Sequence, residues 1–410
     1  MTKTKILNAA VIVSALGYFV DVFDLFLFGV VRVKSLTALG VSGQELVDAG
    51  ITIQNWQMAG LLIGGIASGI LGDKVGRVRA LYASITLYSL ANILNGLVWN
   101  VETYALCRFI AGIGLAGELG SGITLVAESL PTGKRGLGTT IVAGFGTMGA
   151  VAAGLIDYVI TDWQVTYFFG GGLGLLLLAL RLSVSESPIF SKTAENTAVK
   201  RGNFFSLFNS KDKRSRLFKS TFLSATTWFN TGILTFFAPE FGIAKGISEP
   251  ISAATAIIWF QIGMVLGDFG SGLLSQYLKS RIRAIQIFLT LQLILIPVYL
   301  FAPLETSAQM YMVILALGFS GGFWAVFITN ASEQFGTNLR ATATSTIPGF
   351  VRGLFIPIGF AFKYFKAPEQ LGSPIIAAAI VGGVCLLLAF WSSFGLEDTF
   401  HKDLDFLEKD

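Results

Sequence analysis

Long apolar runs separated by short polar segments dominate the chain. Each run is long enough to cross the hydrocarbon core of a bilayer as a helix, which takes about 20 predominantly apolar residues. A helix also satisfies its backbone hydrogen bonds within the segment, as a bilayer requires. The pattern predicts an all-α membrane protein with twelve transmembrane helices, at about residues 6–31, 51–72, 80–99, 103–126, 138–160, 163–183, 217–238, 252–276, 284–302, 308–329, 342–365 and 373–395.

Composition supports a membrane protein and excludes several other classes. Hydrophobic residues make up 53% of the 410 residues and charged residues only 13%, whereas a soluble domain carries about 25% charged residues. The net charge of +4 is too small and too scattered for a nucleic-acid binder. The single histidine, His401, lies in a charged tail, and Cys107 and Cys385 lie in apolar runs. We therefore expect no histidine-based catalytic site, no metal site and no enzyme activity.

The basic residues predict the orientation of the spans. Placing both termini in the cytoplasm puts 22 of the 29 lysines and arginines on that side, as the positive-inside rule requires. The first run continues through Asp21 and Asp24, so it is expected to be a span rather than a cleaved signal peptide. The predicted domains are an N-terminal six-helix bundle over 1–184, a cytoplasmic linker over 185–216, a C-terminal six-helix bundle over 217–396 and a cytoplasmic tail over 397–410.

The two halves of the sequence resemble each other. Glu128-Ser-Leu-Pro-Thr-Gly-Lys-Arg135 and Glu333-Gln-Phe-Gly-Thr-Asn-Leu-Arg340 share Glu, Thr and Arg at an offset of 205, half of the 410 residues. A fainter copy pairs Gly69-Ile-Leu-Gly-Asp73 with Gly272-Leu-Leu-Ser-Gln276. The repeat predicts two six-helix pseudo-repeats in parallel orientation.

The polar segment between spans 2 and 3 carries the most specific motif. Gly69-Ile-Leu-Gly-Asp73-Lys-Val-Gly76-Arg77-Val-Arg79 resembles the loop signature G-x-L-x-D-x-x-G-R of the major facilitator superfamily. Gly76 permits a tight turn, and Asp73 can pair with helix amides and a basic partner as a charge latch. The resemblance implies a major facilitator fold and alternating access. The predicted loop-motif and gating residues are Gly69, Asp73, Gly76, Arg77, Glu128, Arg135, Asp268, Glu333 and Arg340.

Three further stretches are similar to the metabolite:proton symporters of that superfamily. They are Gly17-Tyr-Phe-Val-Asp21-Val-Phe-Asp24 in span 1, Arg108-Phe-Ile-Ala-Gly-Ile-Gly-Leu-Ala-Gly-Glu118 in span 4, and Glu186-Ser-Pro188 after span 6. The Asp-Asp pattern of span 1 also resembles phosphate:proton symporters. The resemblance implies a carrier in a bacterial-type inner membrane that uses protons as the coupling ion and no other cofactor.

Ionisable residues inside the spans are candidates for proton coupling, since each costs at least about 2.5–3.5 kcal/mol there. Asp21 and Asp24 are three residues apart on one helix face, and two such carboxylates cannot easily both stay ionised in a medium of low dielectric. Glu118 lies inside span 4. Arg108, one turn inside the outer end of span 4, matches a position that the resemblance links to proton transfer; alternatively, its side chain extends outwards to water.

Arg352 is the main candidate for substrate binding. It lies near the middle of span 11 and cannot lose its proton, so it requires an anion, from the protein or the substrate. Pro348 and Pro357 flank it and predict a kinked helix. Weaker candidates for the cavity wall are Tyr18, Trp228, Asn230, Gln261 and Trp324.

These features predict a proton-coupled symporter for a small, anionic, carboxylate-type metabolite. The alternatives are a phosphate or organic-anion symporter, a sugar-type facilitator and a drug/proton antiporter; span 5 lacks the proline of the antiporter motif. A membrane-embedded enzyme or a sensor would need a catalytic constellation or an added domain, and neither is visible. The expected partners are a small-molecule substrate and the lipid bilayer, without nucleic acid, and the expected state is a monomer.

Overall fold

The computed structural model describes residues 9–75, 77–129, 132–181, 204–402 and 408. Helices make up most of this part of the chain, and no strand occurs in it. Within the same residues, seven helical segments are long and apolar enough to cross a membrane by length and composition. The predicted all-α class is confirmed.

The first half of the chain forms one uninterrupted helix for each predicted span. α1 packs against α4, α5 and α6, and α3 packs against α4 and α6. These helices are α1 (Ala9–Ala38), α2 (Gln44–Val75), α3 (Arg77–Asn95), α4 (Val101–Ser129), α5 (Thr132–Val159) and α6 (Trp163–Arg181).

Small residues bring two of these helices into backbone contact. A Cβ atom added at Gly60 of α2 would overlap the carbonyl oxygen of Phe109, and one at Gly64 would overlap that of Ile113, both on α4. Gly60 and Gly64, four residues apart on one face of α2, therefore serve close helix packing, as small residues do in many membrane helix pairs.

The second half contains more and shorter helices. A 3₁₀-helix at Phe204–Phe208 precedes α7, and a π-helix at Asn230–Thr235 separates α8 from α9. The α-helices are α7 (Lys211–Phe222), α8 (Ala225–Phe229), α9 (Ala238–Ala244), α10 (Ala253–Leu278), α11 (Arg281–Phe301), α12 (Ser307–Gly321), α13 (Trp324–Glu333), α14 (Thr337–Gly353), α15 (Phe355–Lys366) and α16 (Pro374–Gly395).

Three of the predicted spans in this half are interrupted. Span 7 consists of α7, α8, the π-helix and α9; span 10 consists of α12 and α13, and span 11 of α14 and α15. At the junction of α14 and α15, Pro357 has no N–H for the carbonyl of Gly353, so one backbone hydrogen bond is lost beside Leu354, which keeps right-handed helical angles. At the junction of α12 and α13, a Cβ on Gly322 would overlap the backbone of α10. The interruption at Leu354 thus lies where a kink is predicted near Arg352, while the interruptions in spans 7 and 10 were not predicted.

The contacts within the chain divide it into two compact units. One comprises Met1–Ser42 and Thr52–Gly202, and the other comprises Gly43–Ile51 and Asn203–Asp410. The N-terminal end of α2 thus groups with the second unit. The domain limits predicted from the sequence stay predictions, because residues 182–203 lie outside the described part of the chain.

Candidate functional site

A buried ion pair joins α1 to α4 in the first unit. Arg108 Nη1 lies 3.1 Å from Asp24 Oδ1, and Arg108 Nη2 donates to the backbone carbonyl of Asp24 at 3.1 Å. Asn92 of α3 accepts a further bond from Nη1 through Oδ1, at 3.0 Å. The side chains of Arg108 and Asp24 are 0% and 1% exposed. Two residues predicted to couple protons are therefore direct partners.

This position of Arg108 contradicts the alternative that its side chain extends outwards to water. The side chain of Arg108 is fully buried in this structure. Its neighbours supply the compensation instead: the carboxylate of Asp24 provides the opposite charge, and the ring of Tyr167 on α6 lies 5.6 Å from the guanidinium carbon.

A chain of hydroxyl groups extends from the ion pair towards the end of α1. The hydroxyl groups of Tyr167 and Tyr104 are 2.6 Å apart, and Tyr104 donates to Ser35 Oγ at 3.2 Å. Tyr104 precedes Arg108 by four residues and therefore shares its helix face. The resulting network joins α1, α3, α4 and α6, and every side chain in it is buried.

Asn92, Tyr104, Tyr167 and Ser35 are not among the site residues predicted from the sequence. Tyr104 could have been found from its spacing to Arg108. The other three carry no local signal beyond being polar residues in apolar runs.

Asp21 and Tyr18 also lie on α1 and are buried. The ring of Tyr18 packs against the backbone of Gly146 on α5, where an added Cβ would overlap it. Asp21 lies one turn before Asp24, as predicted. The roles predicted for Asp21 in proton coupling and for Tyr18 in substrate binding stay predictions.

The polar candidates of the second unit cluster near the interruption of span 7. Asn230 begins the π-helix and is fully buried. Among the described residues, neither amide atom of Asn230 has a hydrogen-bond partner, and the same holds for Gln261 Oε1 on α10. The π-helix packs against α10 and α12. Buried amide groups are normally satisfied, so these atoms suit a bound water or a polar solute.

The remaining substrate candidates lie at helix ends. Trp228 is buried in α8, and Trp324, half-buried, is the first residue of α13. Arg352 is half-buried in the last turn of α14, one residue before the helix ends. These placements put each of them beside one of the three interruptions.

Asp268 of α10 lies at the interruption of span 10. Its Oδ1 accepts a hydrogen bond from the backbone amide of Ala325, at 3.3 Å. Ala325 lies in the first turn of α13, whose initial amides have no partner within the helix. Asp268 therefore caps a helix that begins inside the span.

Two of the predicted gating residues, Glu333 and Arg340, make hydrogen bonds within the second unit. Glu333, the last residue of α13, accepts two hydrogen bonds from Arg281, at 2.7 and 2.9 Å. Arg340 donates from Nε to the carbonyl of Phe335, at 3.3 Å. Their counterparts in the first half cannot be compared, because Gly76 and the side chains at Gly69, Asp73, Arg77, Glu128 and Arg135 lie outside the described part, as does the side chain of Glu118.

Several membrane-length helices and a buried charge pair among them are typical of multi-pass membrane transport proteins. The profile of the Major Facilitator Superfamily matches residues 14–360, and the chain belongs to that superfamily. This confirms the resemblance seen in the sequence. It also confirms that the chain is a transporter for a small molecule rather than an enzyme.

Relatives and solved structures agree with this assignment. The inner membrane metabolite transport protein YhjE of Escherichia coli (strain K12) is 26% identical over 378 residues, which cover 82% of this chain and 83% of YhjE. The sialic acid transporter NanX of the same organism is 24% identical over 389 residues, or 91% of each chain. The crystal structure of the D-xylose-proton symporter superposes with a TM-score of 0.73 at 17% identity, covering 95% of this chain and 98% of that one.

Proposed function

We propose that the protein is a symporter that couples proton entry to uptake of a small, anionic, carboxylate-type metabolite across a bacterial inner membrane. The observation that carries this proposal is the buried pair of Asp24 and Arg108. The sialic acid named for NanX supports an anionic substrate. The proton named for the D-xylose symporter supports the coupling ion.

The pair couples a proton to an anion by charge balance. Arg108 keeps its charge at every physiological pH, so a proton entering the pair binds to the carboxylate of Asp24. A protonated Asp24 leaves a buried cation without full compensation, which is unfavourable. An anionic substrate restores the balance. Proton and anion therefore favour each other's binding, and the loaded carrier can change conformation where the half-loaded carrier cannot.

Uptake by purified protein in proteoliposomes tests the proposal. A thermal-shift screen against carboxylates, phosphate and sugars, at acidic and neutral pH, first identifies a substrate. We expect the wild type to accumulate it under an inward proton gradient. Asp24→Asn should abolish accumulation while still permitting exchange of labelled for unlabelled substrate, because exchange requires no net proton movement.

A second carboxylate in the same unit provides the matched control. Asp157 pairs with Lys34 at 2.7 Å, and Lys34 is 43% exposed. Because Asp157 pairs with a partly exposed lysine and is not bonded to Asp24 or Arg108, Asp157→Asn should transport as the wild type does. Accumulation against a gradient by Asp24→Asn would refute the proton role of Asp24, and equilibration without accumulation by the wild type would identify a facilitator.

A further inference from the structure

The C-terminal tail binds the end of α13. Thr399 donates from Oγ1 to Glu333 Oε2 at 2.7 Å and accepts from Asn330 Nδ2 at 3.1 Å. Gln334, the residue after α13, donates from Nε2 to the backbone carbonyl of Glu397 at 2.6 Å. The tail thus satisfies several polar groups at the point where this helix ends.

Glu408, further along the tail, bridges two other helices. Its two carboxylate oxygens accept from Arg216 on α7, at 2.8 and 3.0 Å. Oε1 also accepts from the backbone amide of Gly336 at 3.0 Å, and Gly336 is the N-cap residue of α14. A carboxylate at this position is favoured by the unpaired amides and the dipole of the helix. Arg216 contacts the backbone carbonyl of Gln334 as well.

The tail is also attached to a continuous helix. Asp398 Oδ1 accepts from the backbone amide of Arg281, the first residue of α11, at 3.1 Å. The ring of Phe400 lies 5.6 Å from the guanidinium carbon of Arg281. Arg281 in turn holds Glu333. α11 runs without interruption from Arg281 to Phe301, so the tail is attached to the end of a continuous helix.

The helices that the tail joins share one property. α7, α13 and α14 are the halves of the three interrupted spans that lie on the side predicted to be cytoplasmic. None of the tail bonds described above reaches the other halves, α9, α12 and α15. Interruptions in membrane helices are the positions at which one half can move relative to the other.

We propose that the tail residues Glu397–Phe400 and Glu408 form a clasp that ties α7, α13 and α14 into one body and fixes it to α11. With the clasp closed, these half-helices cannot bend independently at their interruptions. Release of the clasp frees all three together. Only the link between the clasp and gating rests on the proposed transport function, because gating requires these half-helices to move.

Hydrogen–deuterium exchange of the full chain in lipid nanodiscs tests the clasp without a substrate. Glu408→Ala removes the bonds to Arg216 and Gly336. We expect amide exchange to rise roughly tenfold in α7 and α14, and also in α13, which Glu408 does not touch. Exchange in α9, α15 and the first unit should stay as in the wild type, which excludes a general folding defect.

Two matched variants separate the clasp from a simple loss of charge. Arg214→Ala removes an exposed arginine from the same helix as Arg216. Glu397→Gln neutralises a carboxylate that makes none of the clasp bonds, since only the backbone carbonyl of Glu397 binds Gln334 and its side chain pairs with Lys402 within the tail. Both should exchange as the wild type does. A rise confined to α7 and α14, or no rise, would overturn the proposal. A protein that transports nothing but shows the coupled rise would refute the proposed function alone.

Discussion

At the scale of single residues, the Asp24–Arg108 pair makes a prediction about stability. Removing one member of a buried pair leaves an uncompensated charge, which costs about 3–5 kcal/mol. We expect Arg108→Met to lower the free energy of unfolding by that amount. The double variant Asp24→Asn/Arg108→Met should recover part of the loss, because it buries no charge. Unfolding of the detergent-solubilised variants measures both.

The double-mutant cycle has a clear contrary result. If the loss in the double variant equals the sum of the losses in Asp24→Asn and Arg108→Met, the two side chains do not compensate each other. Asn92→Ala is a useful companion, since it removes a neutral acceptor of the same guanidinium. Its effect should be smaller, about 1 kcal/mol, because the charge of Arg108 stays compensated.

The charged members of this site could be predicted from the sequence, whereas their pairing could not. Asp24 and Arg108 stand out because ionisable residues are rare in apolar runs. They are separated by 84 positions, and only the packing of α1 against α4 brings them together. Tyr167 and Asn92 are ordinary polar residues in their own helices. Their role depends on a neighbour that the local sequence does not reveal.

At the scale of helices, the cap formed by Asp268 predicts how the interruption of span 10 is stabilised. Replacing a capping residue by alanine typically costs about 1 kcal/mol. We expect Asp268→Ala to lower stability by that amount and to increase hydrogen exchange in the first turn of α13. Asp268→Asn should keep most of the stability, because its amide oxygen can still accept from Ala325.

The same experiment distinguishes a cap from a gating charge. A charge latch would fail equally in Asp268→Asn and Asp268→Ala, since both remove the carboxylate. Restoration by asparagine in the exchange measurement would therefore assign Asp268 to the helix end. Loss in both variants would return it to the charged gate predicted from the sequence.

Helix positions were more predictable from the sequence than helix continuity. Every predicted span coincides with a helix or with consecutive helical segments, because about 20 apolar residues leave few alternatives. Pro357 signals the break in span 11. The π-helix at Asn230–Thr235 has no comparable signal: it depends on contacts such as the bond from Tyr299 to the carbonyl of Leu234, at 2.7 Å.

At the scale of the whole molecule, the two halves of the sequence repeat adopt different structures. The first unit has a buried charge network and helices without interruption. The second has three interrupted spans and uncharged amides near one of them. We infer that the two units have different roles in the proposed mechanism: the first unit binds the proton, and the second contains the helices that bend.

Docking of the C-terminal tail through Glu408 is expected to depend on pH. Burial alone would raise the pKa of Glu408, but hydrogen bonds from Arg216 and Gly336 outweigh it and lower the pKa below the ordinary value of 4.5. A carboxylate with a lowered pKa stabilises the docked tail fully above that ordinary value, and the stabilisation is lost as pH falls through the lowered value. The tail should therefore stay docked at neutral pH and be released in acid.

Hydrogen exchange in α7, α13 and α14, corrected for the intrinsic effect of pH on amides, measures this release. We expect exchange in the wild type to rise together in the three helices below about pH 4.5. Glu408→Gln has no charge to lose there and should show faster exchange at every pH, without the step. Asp212 bonds the same guanidinium at 2.7 Å, so Asp212→Asn serves as the control. If the step persists in Glu408→Gln but disappears in Asp212→Asn, the pH-sensitive contact lies within α7 and the tail does not control it.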